Sequence, residues 1–400
     1  MATSSHPLRH APFVWFWLGQ SISLLGDRVY SVALPFLVLE LGGSAGEIGR
    51  VLAVYSVPQL LFLLTGGVLV DRVPRRLTML VSNVLHALLL GVVLVLMING
   101  RLELPHLYIL SGLFGLLSAF FMPATMSLTP QLVPREVLPQ ANAMRSFASE
   151  LAGILGPPLG GLLITLGSLS LALGFDAATF VLGALCLLAM RPRPVKRHSS
   201  NTPNYWRDLK EGFRYVAGSR WLWVTIVLFS FVNIFVAGVT TVLLPLLAET
   251  RFEGAVSLGW LLSGMAGGAL VSALVLNRIT LRRRGWAAYL AVTVSGLGLV
   301  GVGFAPHIIV GVGAMVCVGS SLTVFGVVWE TTVQALVPEE ALGRVFSLDM
   351  LGSFALLPFG FVVTGFLAER AGTSPLISAY GFATVFLALV GLLVPAVRRL

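Results

Sequence analysis

The stretch WAAYLAVTVSGLGLVGVGFAPHIIVGVGAMVCVGSSLTVFGVVW, Trp286 to Trp329, contains no aspartate, glutamate, lysine or arginine. A helix needs about 20 apolar residues to cross the hydrocarbon core of a bilayer. This run has 44 residues, so it is long enough to cross twice, with Pro306 at the turn. Because the bilayer core offers no water to pair with backbone groups, each pass is predicted to be an α-helix.

The rest of the chain has the same character. Of its 400 residues, 56% are hydrophobic and 11% are charged, whereas a soluble domain has about 25% charged residues. The apolar runs predict an all-α integral membrane protein with 12 transmembrane helices. The predicted spans are 13–40, 47–70, 75–99, 105–128, 137–166, 170–190, 220–248, 256–279, 285–305, 307–330, 341–368 and 374–397.

The positive charges lie mainly in alternate loops of this prediction. Arg72, Arg75 and Arg76 follow the second span, and a basic segment, 191–214, follows the sixth. Cytoplasmic loops of membrane proteins are enriched in lysine and arginine, so both termini are predicted to be cytoplasmic. The net charge of +9 therefore reflects membrane orientation, and no nucleic-acid partner is expected.

The polar segment 191–219 divides the spans into two sets of six. It contains NYWRDLKEGFRYV, residues 204–216, whose apolar residues have the spacing of an amphipathic helix at the cytoplasmic membrane face. The predicted organisation is a six-helix bundle at 1–190, a linker with this helix at 191–219 and a second bundle at 220–400. LVPREVLPQ at 132–140 is similar to LVPEEALGR at 336–344, so we expect two pseudo-symmetric repeats with the site between them.

The second span ends with GGVLVDRVPRR, Gly66–Arg76. This motif resembles the loop signature of the major facilitator superfamily, which combines a glycine, an Asp-Arg pair and a second basic pair. The resemblance implies a conformational latch formed by Gly67, Asp71, Arg72, Arg75 and Arg76. In the second repeat, Asn277 stands where the aspartate is expected.

The fifth span contains GPPLGG, Gly156–Gly161, which partly resembles the antiporter signature of drug-exporting members. Gly-Pro frees a backbone carbonyl and bends a helix, so a hinge at Gly156, Pro157, Gly160 and Gly161 is one interpretation. Simple close packing is the other. The layout, with FDAATF at 175–180 and DLKEGFRYV at 208–216, resembles the bacterial drug, macrolide and siderophore exporters, which are proton-coupled antiporters. The resemblance implies a monomer in the bacterial inner membrane.

Two acidic residues lie well inside predicted spans, Asp27 in the first and Glu150 in the fifth. A charged side chain at the bilayer centre costs about 2.5–3.5 kcal/mol on insertion scales, so it should face protein or a water-filled cavity. Both are therefore proton-coupling candidates. A salt bridge that fixes helix packing is the alternative for Asp27.

Three further polar residues lie in spans that should border a central cavity: Arg28, Gln59 and Asn233. They are substrate-cavity candidates, or they bond a neighbouring helix. No phosphate-binding loop, metal-ligand cluster or activated nucleophile is recognisable, so neither enzymatic activity nor a metal or cofactor is expected.

The sequence thus predicts a proton-coupled multidrug efflux transporter that exports small amphipathic molecules such as drugs, macrolides or siderophores and contributes to antibiotic resistance. Its partners would be the substrate, protons and the lipid bilayer. A lipid or lysolipid flippase and an importer of the same fold are alternatives. A membrane sensor or scaffold that transports nothing is an alternative of another class.

Overall fold

The computed structural model describes residues 6–190, 205–276, 278–279 and 283–398, without the side chains of 63–72, 205–209, 211–212 and 339–340. Every regular element in these ranges is helical. The α-helices are α1 Ala11–Glu40, α2 Ala45–Arg72, α3 Arg75–Ile98, α4 Leu104–Leu132, α5 Leu138–Leu166, α6 Leu169–Ala189, α7 Tyr205–Gly218, α8 Arg220–Gly238, α9 Leu244–Arg251, α10 Ala255–Leu276, α11 Arg284–Phe304, α12 Ile308–Leu336, α13 Glu339–Phe354, α14 Leu357–Ala371, α15 Thr373–Leu393 and α16 Pro395–Arg398. Short 3-10 turns lie at Pro7–Arg9 and Arg135–Val137.

Eleven helical segments of the described part are long and apolar enough to cross a bilayer. The predicted all-α membrane fold is confirmed, but the count of twelve spans is not. The predicted span 47–70 coincides with α2, which is not among the eleven. The predicted span 220–248 is realised as α8 and α9 joined by a π-helical turn, Val239–Leu243. The predicted span 341–368 is realised as α13 and α14, separated at residues 355–356.

The chain forms two compact units. Unit 1 comprises Met1–Arg197 and Glu253–Ser263, and unit 2 comprises His198–Phe252 and Gly264–Leu400. The start of α10 belongs to unit 1 because its backbone packs on α5. A Cβ on Gly161 would lie 2.5 Å from the Ala255 carbonyl oxygen.

In unit 1, α1 packs between α5 and α6, α2 packs on α4, and α3 lies against α4 and α6. Small residues let backbones approach closely, as is typical of helix contacts in membranes. At Gly115 of α4, a Cβ would overlap the carbonyl oxygen of Tyr55 in α2. The Tyr55 hydroxyl donates to Ser118 Oγ at 3.3 Å, so a polar contact supports the same helix pair.

Unit 2 repeats two close glycine contacts of unit 1, and the glycine in each lies 204 residues further on. Gly319 of α12 meets the backbone carbonyl of Met265 in α10, as Gly115 meets that of Tyr55. Gly360 of α14 packs on Ile234 of α8. Its counterpart, Gly156 of α5, packs on α1. The repeated glycines have a common physical role in both units, which agrees with the pseudo-symmetric repeat predicted from the sequence.

Candidate functional site

A cavity of about 510 Å³ lies in unit 1 between α1, α2, α4 and α5. Cavities of this size hold drug-sized ligands. Ten of the sixteen side chains that line it are polar or charged, which is unusual for helices that cross hydrocarbon. The lining residues are Trp17, Gln20, Ser21, Leu24, Asp27, Gln59, Ser118, Phe121, Met122, Thr125, Met126, Asn142, Arg145, Ser146, Ala148 and Ser149.

The lining face of α1 is set by a tight contact on another face of the same helix. Gly26 packs so closely on α6 that a Cβ would overlap Thr179 Oγ1 and the Asp176 carboxylate. Successive residues of an α-helix point about 100° apart. Asp27, the next residue, therefore points away from α6, and with Trp17 and Leu24 it forms one stripe along the cavity wall.

Asp27 is exposed to this cavity although it lies deep within α1. No hydrogen bond or ion pair links its carboxylate to another of the described residues; the described ion pair joins Arg50 to Glu47 at 3.0 Å. The alternative, a salt bridge of Asp27 that fixes helix packing, is therefore not found among the described residues. Asp27 is instead available to a proton or to a cationic group in the cavity.

Arg145 of α5 lines the same cavity, nearer the start of its helix. Its Nη1 donates to Thr129 Oγ1 at 3.0 Å, and its guanidinium carbon lies 5.7 Å from the centre of the Phe16 ring. Its Nε is buried and has no hydrogen-bond partner among the described residues. The protein thus holds one edge of the Arg145 guanidinium. The described residues use only part of the N–H donors of this group.

Trp17 holds the start of α1 against α5. Its indole Nε1 donates to the Met144 carbonyl oxygen at 3.1 Å. Because Met144 precedes Arg145, this bond places the level of Trp17 next to the level of the guanidinium. Trp17 also lines the cavity, so it contributes both to helix packing and to the candidate site.

The other predicted site residues have different surroundings. Gln59 lines the cavity. Arg28 is exposed, is not among the lining residues, and its Cβ packs on Gly156. Glu150 is half-buried in α5 and is also outside the lining. Asn233 lies in unit 2, where its Nδ2 donates to the Ser353 carbonyl oxygen at 3.1 Å and thereby bonds α8 to α13.

The predicted latch is described only in part. Gly67, Asp71 and Arg72 lie in the part of α2 whose packing is not described, and Asn277 of the second repeat lies outside the described residues. Arg75 begins α3. Arg76 is directed at the end of α6, where its Nε and Nη2 donate to the carbonyl oxygens of residues 187 and 188 at 2.7 and 2.9 Å. This is a favourable place for a cation, because the last carbonyls of a helix carry partial negative charge.

The GPPLGG segment lies within one continuous helix, α5. Gly156 and Gly160 pack on α1, the latter with a Cβ position 3.1 Å from the Val29 carbonyl oxygen. On another face, Pro157 lies against Gly259 at the start of α10. The segment is therefore a close-packing surface towards two helices.

Asp176 of α6 is completely buried, and its Oδ2 has no hydrogen-bond partner among the described residues. Thr179 Oγ1 lies 3.4 Å from Oδ1. When both are ionised, Asp176 and Asp27 repel each other. Asp176 thus faces α1 about 100° round the helix from Asp27 and contributes to the electrostatic environment of that carboxylate.

Sequence reasoning did not identify most of the cavity lining. Gln20, Asn142, Ser146 and Ser149 carry polar groups at helical spacing on α1 and α5, and that spacing inside apolar spans was the available signal. Arg145 was not among the predicted site residues. In the structure it faces the cavity. Within the described residues, no three histidine, cysteine, aspartate or glutamate side chains come together in a way that could hold a metal ion.

Comparison with known proteins gives a consistent picture. The sequence profile described as the Major Facilitator Superfamily matches residues 16–356. The multidrug efflux pump Tap of Mycolicibacterium fortuitum is 28% identical and covers 94% of this chain and 93% of its own length. Macrolide efflux protein A of Streptococcus pyogenes is 26% identical, with 97% of each chain covered. The enterobactin exporter EntS of Shigella boydii is 27% identical, with 96% and 92% covered.

Solved structures support the fold alone. A bacterial homologue of the iron transporter ferroportin, in an inward-facing state, superposes with a TM-score of 0.75 and 18% identity over 95% of this chain and 98% of its own. A bacterial homologue of the human lysosomal transporter Spinster gives a TM-score of 0.75 and 14% identity over 99% and 98%.

Proposed function

The chain belongs to the major facilitator superfamily, and from this premise we propose that it is a proton-coupled exporter of small amphipathic molecules. The direction of transport is supported by the relatives, whose names describe efflux of drugs and macrolides and export of enterobactin. The proposed mechanism is alternating access, in which the cavity is reached in turn from each side of the membrane.

One observation carries the proton coupling: Asp27 lines the cavity of unit 1 and forms no hydrogen bond or ion pair with another of the described residues. A carboxylate in this position can bind a proton or a substrate cation, but it cannot neutralise both at once. That competition is the requirement for exchange. Glu150 is a second proton-coupling candidate, which the proposal ranks below Asp27 because Glu150 does not line the cavity.

The energy available is sufficient for export. When one proton enters in exchange for a substrate without net charge, one elementary charge crosses about 100 mV and supplies about 2.3 kcal/mol. At about 1.4 kcal/mol for each tenfold concentration ratio, this supports a gradient of roughly 50-fold. No nucleotide-driven step is needed for a drug exporter of this kind.

The remaining parts of the proposal rest on sequence. We place the protein in the bacterial inner membrane as a monomer with both termini in the cytoplasm, because the basic loops follow the spans with even numbers. Gly67, Asp71, Arg72, Arg75 and Arg76 are proposed as a conformational latch. The segment with Gly156, Pro157, Gly160 and Gly161 has a role in helix packing that its contacts support. We propose that the segment is also a hinge, about which α5 moves relative to the helices that it contacts.

Proton release from proteoliposomes tests the proposal. Purified full-length protein is reconstituted with a pH-sensitive dye inside the vesicles, and amphipathic drugs, siderophores and lysolipids are added in turn. We expect drug addition to move protons out of vesicles that contain the protein, and empty vesicles to show no response. Proton movement with lysolipid alone would favour the flippase, and drug uptake together with protons would favour the importer. Binding without any transport would identify a sensor or scaffold.

A further inference from the structure

The unit 1 cavity contains two opposite charges that do not neutralise each other. Asp27 and Arg145 both line it, and neither forms an ion pair with another of the described residues. Membrane helices rarely retain ionisable groups unless they pair with one another or serve a function. Two such groups in one drug-sized cavity therefore need a common explanation.

The separation of the two charges follows from the helix geometry. Trp17 lies at the level of Arg145 because its indole donates to the Met144 carbonyl oxygen. Positions 17 and 27 are ten residues apart in α1, which at about 1.5 Å per residue is about 15 Å along the axis. The two groups thus lie towards opposite ends of the cavity.

The Arg145 guanidinium is prepared for a ligand. It has five N–H donors, and the described residues accept from it only at Nη1, through Thr129 Oγ1. Its buried Nε has no partner among them. A planar guanidinium with unused donors is the group that best binds a carboxylate or phosphate oxygen pair. The Phe16 ring and the Thr129 contact limit its movement and so favour one orientation.

The wall between the two charges is mixed in character. Gln20 and Gln59 contribute amide groups, while Phe121 and Met122 contribute apolar surface. Asn142 adds a third amide at the Arg145 end of the cavity. This combination suits a flat or rigid body that has apolar faces and polar substituents at its edges. A long acyl chain would leave the three amides without partners, which is costly away from water.

We propose that this cavity binds bipolar amphiphiles, which carry a protonated amine at one end and an acidic group at the other. The amine lies at Asp27 and the acid at Arg145. This inference rests on the proposed function, since the amine then competes with the proton at Asp27, as exchange requires. A substrate with only an acidic group would gain from protonation of Asp27, and such coupling would drive uptake together with protons.

Matched probes test the proposal. Norfloxacin carries an ammonium group and a carboxylate at opposite ends of a rigid aromatic core. Its ethyl ester lacks the carboxylate, and its N-acetyl derivative lacks the ammonium. Dissociation constants are measured for the purified full-length protein in nanodiscs by isothermal titration calorimetry. We expect norfloxacin to bind at least tenfold more tightly than either derivative.

Variants assign the difference to Arg145. Arg145→Gln should weaken norfloxacin binding at least tenfold. The dissociation constant of the ethyl ester should stay within about twofold of its wild-type value, because the ester has no carboxylate that could bind Arg145. Arg101→Gln, in the loop between α3 and α4, removes an exposed arginine of the same charge and should change neither constant. Thermal unfolding of each variant checks that it is folded, and Arg145→Met, which also removes the positive charge, replaces Arg145→Gln if the latter does not fold.

The proposal is overturned if norfloxacin binds no more tightly than its derivatives, including the case in which none of the three binds. It is also overturned if the Arg145 variant weakens norfloxacin and its ester equally. Proton release with an amphipathic drug that has no acidic group is measured on the same preparation. If the binding test fails but this proton release is observed, the bipolar substrate is wrong and the proposed exporter stands. If the proton release is absent as well, the proposed exporter is also wrong.

Discussion

A single methyl group at Gly115 should separate α2 from α4. A Cβ at this position would overlap the carbonyl oxygen of Tyr55 and lie 2.8 Å from the carbonyl carbon. Both are backbone atoms, so no side-chain rotation relieves the contact and the two helices must move apart. Overpacking of this kind costs about 1–3 kcal/mol. The higher helix propensity of alanine returns up to about 1 kcal/mol.

Gly112, one turn earlier in the same helix, provides the matched control. A Cβ there would lie 3.4 Å from Val54 Cγ1, which is an ordinary van der Waals contact. Gly112→Ala should therefore be neutral or slightly stabilising. The expected difference in unfolding free energy between Gly115→Ala and Gly112→Ala is about 1–3 kcal/mol.

The assay is unfolding of both variants and the wild type in one detergent, followed by tryptophan fluorescence in denaturant. The Gly319→Ala variant should behave like Gly115→Ala, because Gly319 meets the backbone of Met265 in the same way. Equal stability of Gly115→Ala and Gly112→Ala would refute the close backbone contact and, with it, the structural equivalence of the two glycine contacts.

Two further predictions concern polar contacts between helices. Arg76→Gln removes donors to two carbonyl oxygens at the end of α6. Because hydrogen bonds of charged groups are the stronger ones, the unfolding free energy should fall by about 1.5–3 kcal/mol. A denaturant unfolding curve that matches the wild type would contradict this prediction. Asn233→Ala removes the bond to the Ser353 carbonyl oxygen and should cost about 1 kcal/mol without changing the dissociation constant for norfloxacin. A large loss of norfloxacin binding would instead indicate that Asn233 contacts the substrate.

The positions of the spans could be predicted from the sequence because hydrocarbon imposes a simple rule on length and composition. Inside a span the same rule gives little information. The π-helical turn at Val239–Leu243 and the separation of α13 from α14 each come just before a proline, Pro245 and Pro358. A proline removes one hydrogen bond of the helix and crowds the preceding turn. Pro35 and Pro123 nevertheless lie inside continuous helices, so the sequence does not show which prolines interrupt a helix.

The candidate site could be predicted only in part, because hydropathy does not show which way each helix face points. A charge inside a span indicates a functional or paired residue, which identified Asp27. The facing direction of each helix decides which other residues join it, and that direction depends on close contacts such as Gly26 on α6. Glu150 and Arg145 lie five residues apart on α5, yet only Arg145 lines the cavity. Hydropathy alone does not distinguish these two faces.

Asp27→Asn tests the central claim most directly when exchange and accumulation are measured on the same proteoliposomes. Asparagine keeps the shape of the side chain and loses the titratable proton. We predict that proton-driven accumulation of a transported drug without net charge falls from roughly 50-fold to no gradient. Exchange of labelled for unlabelled drug continues at saturating drug concentration, with a higher half-saturation concentration because the amine has lost its contact with Asp27. Glu136→Gln, at an exposed site outside the cavity, should leave both unchanged. Proton-driven accumulation by Asp27→Asn equal to that of the wild type would contradict the assignment of Asp27 as the proton-coupling residue.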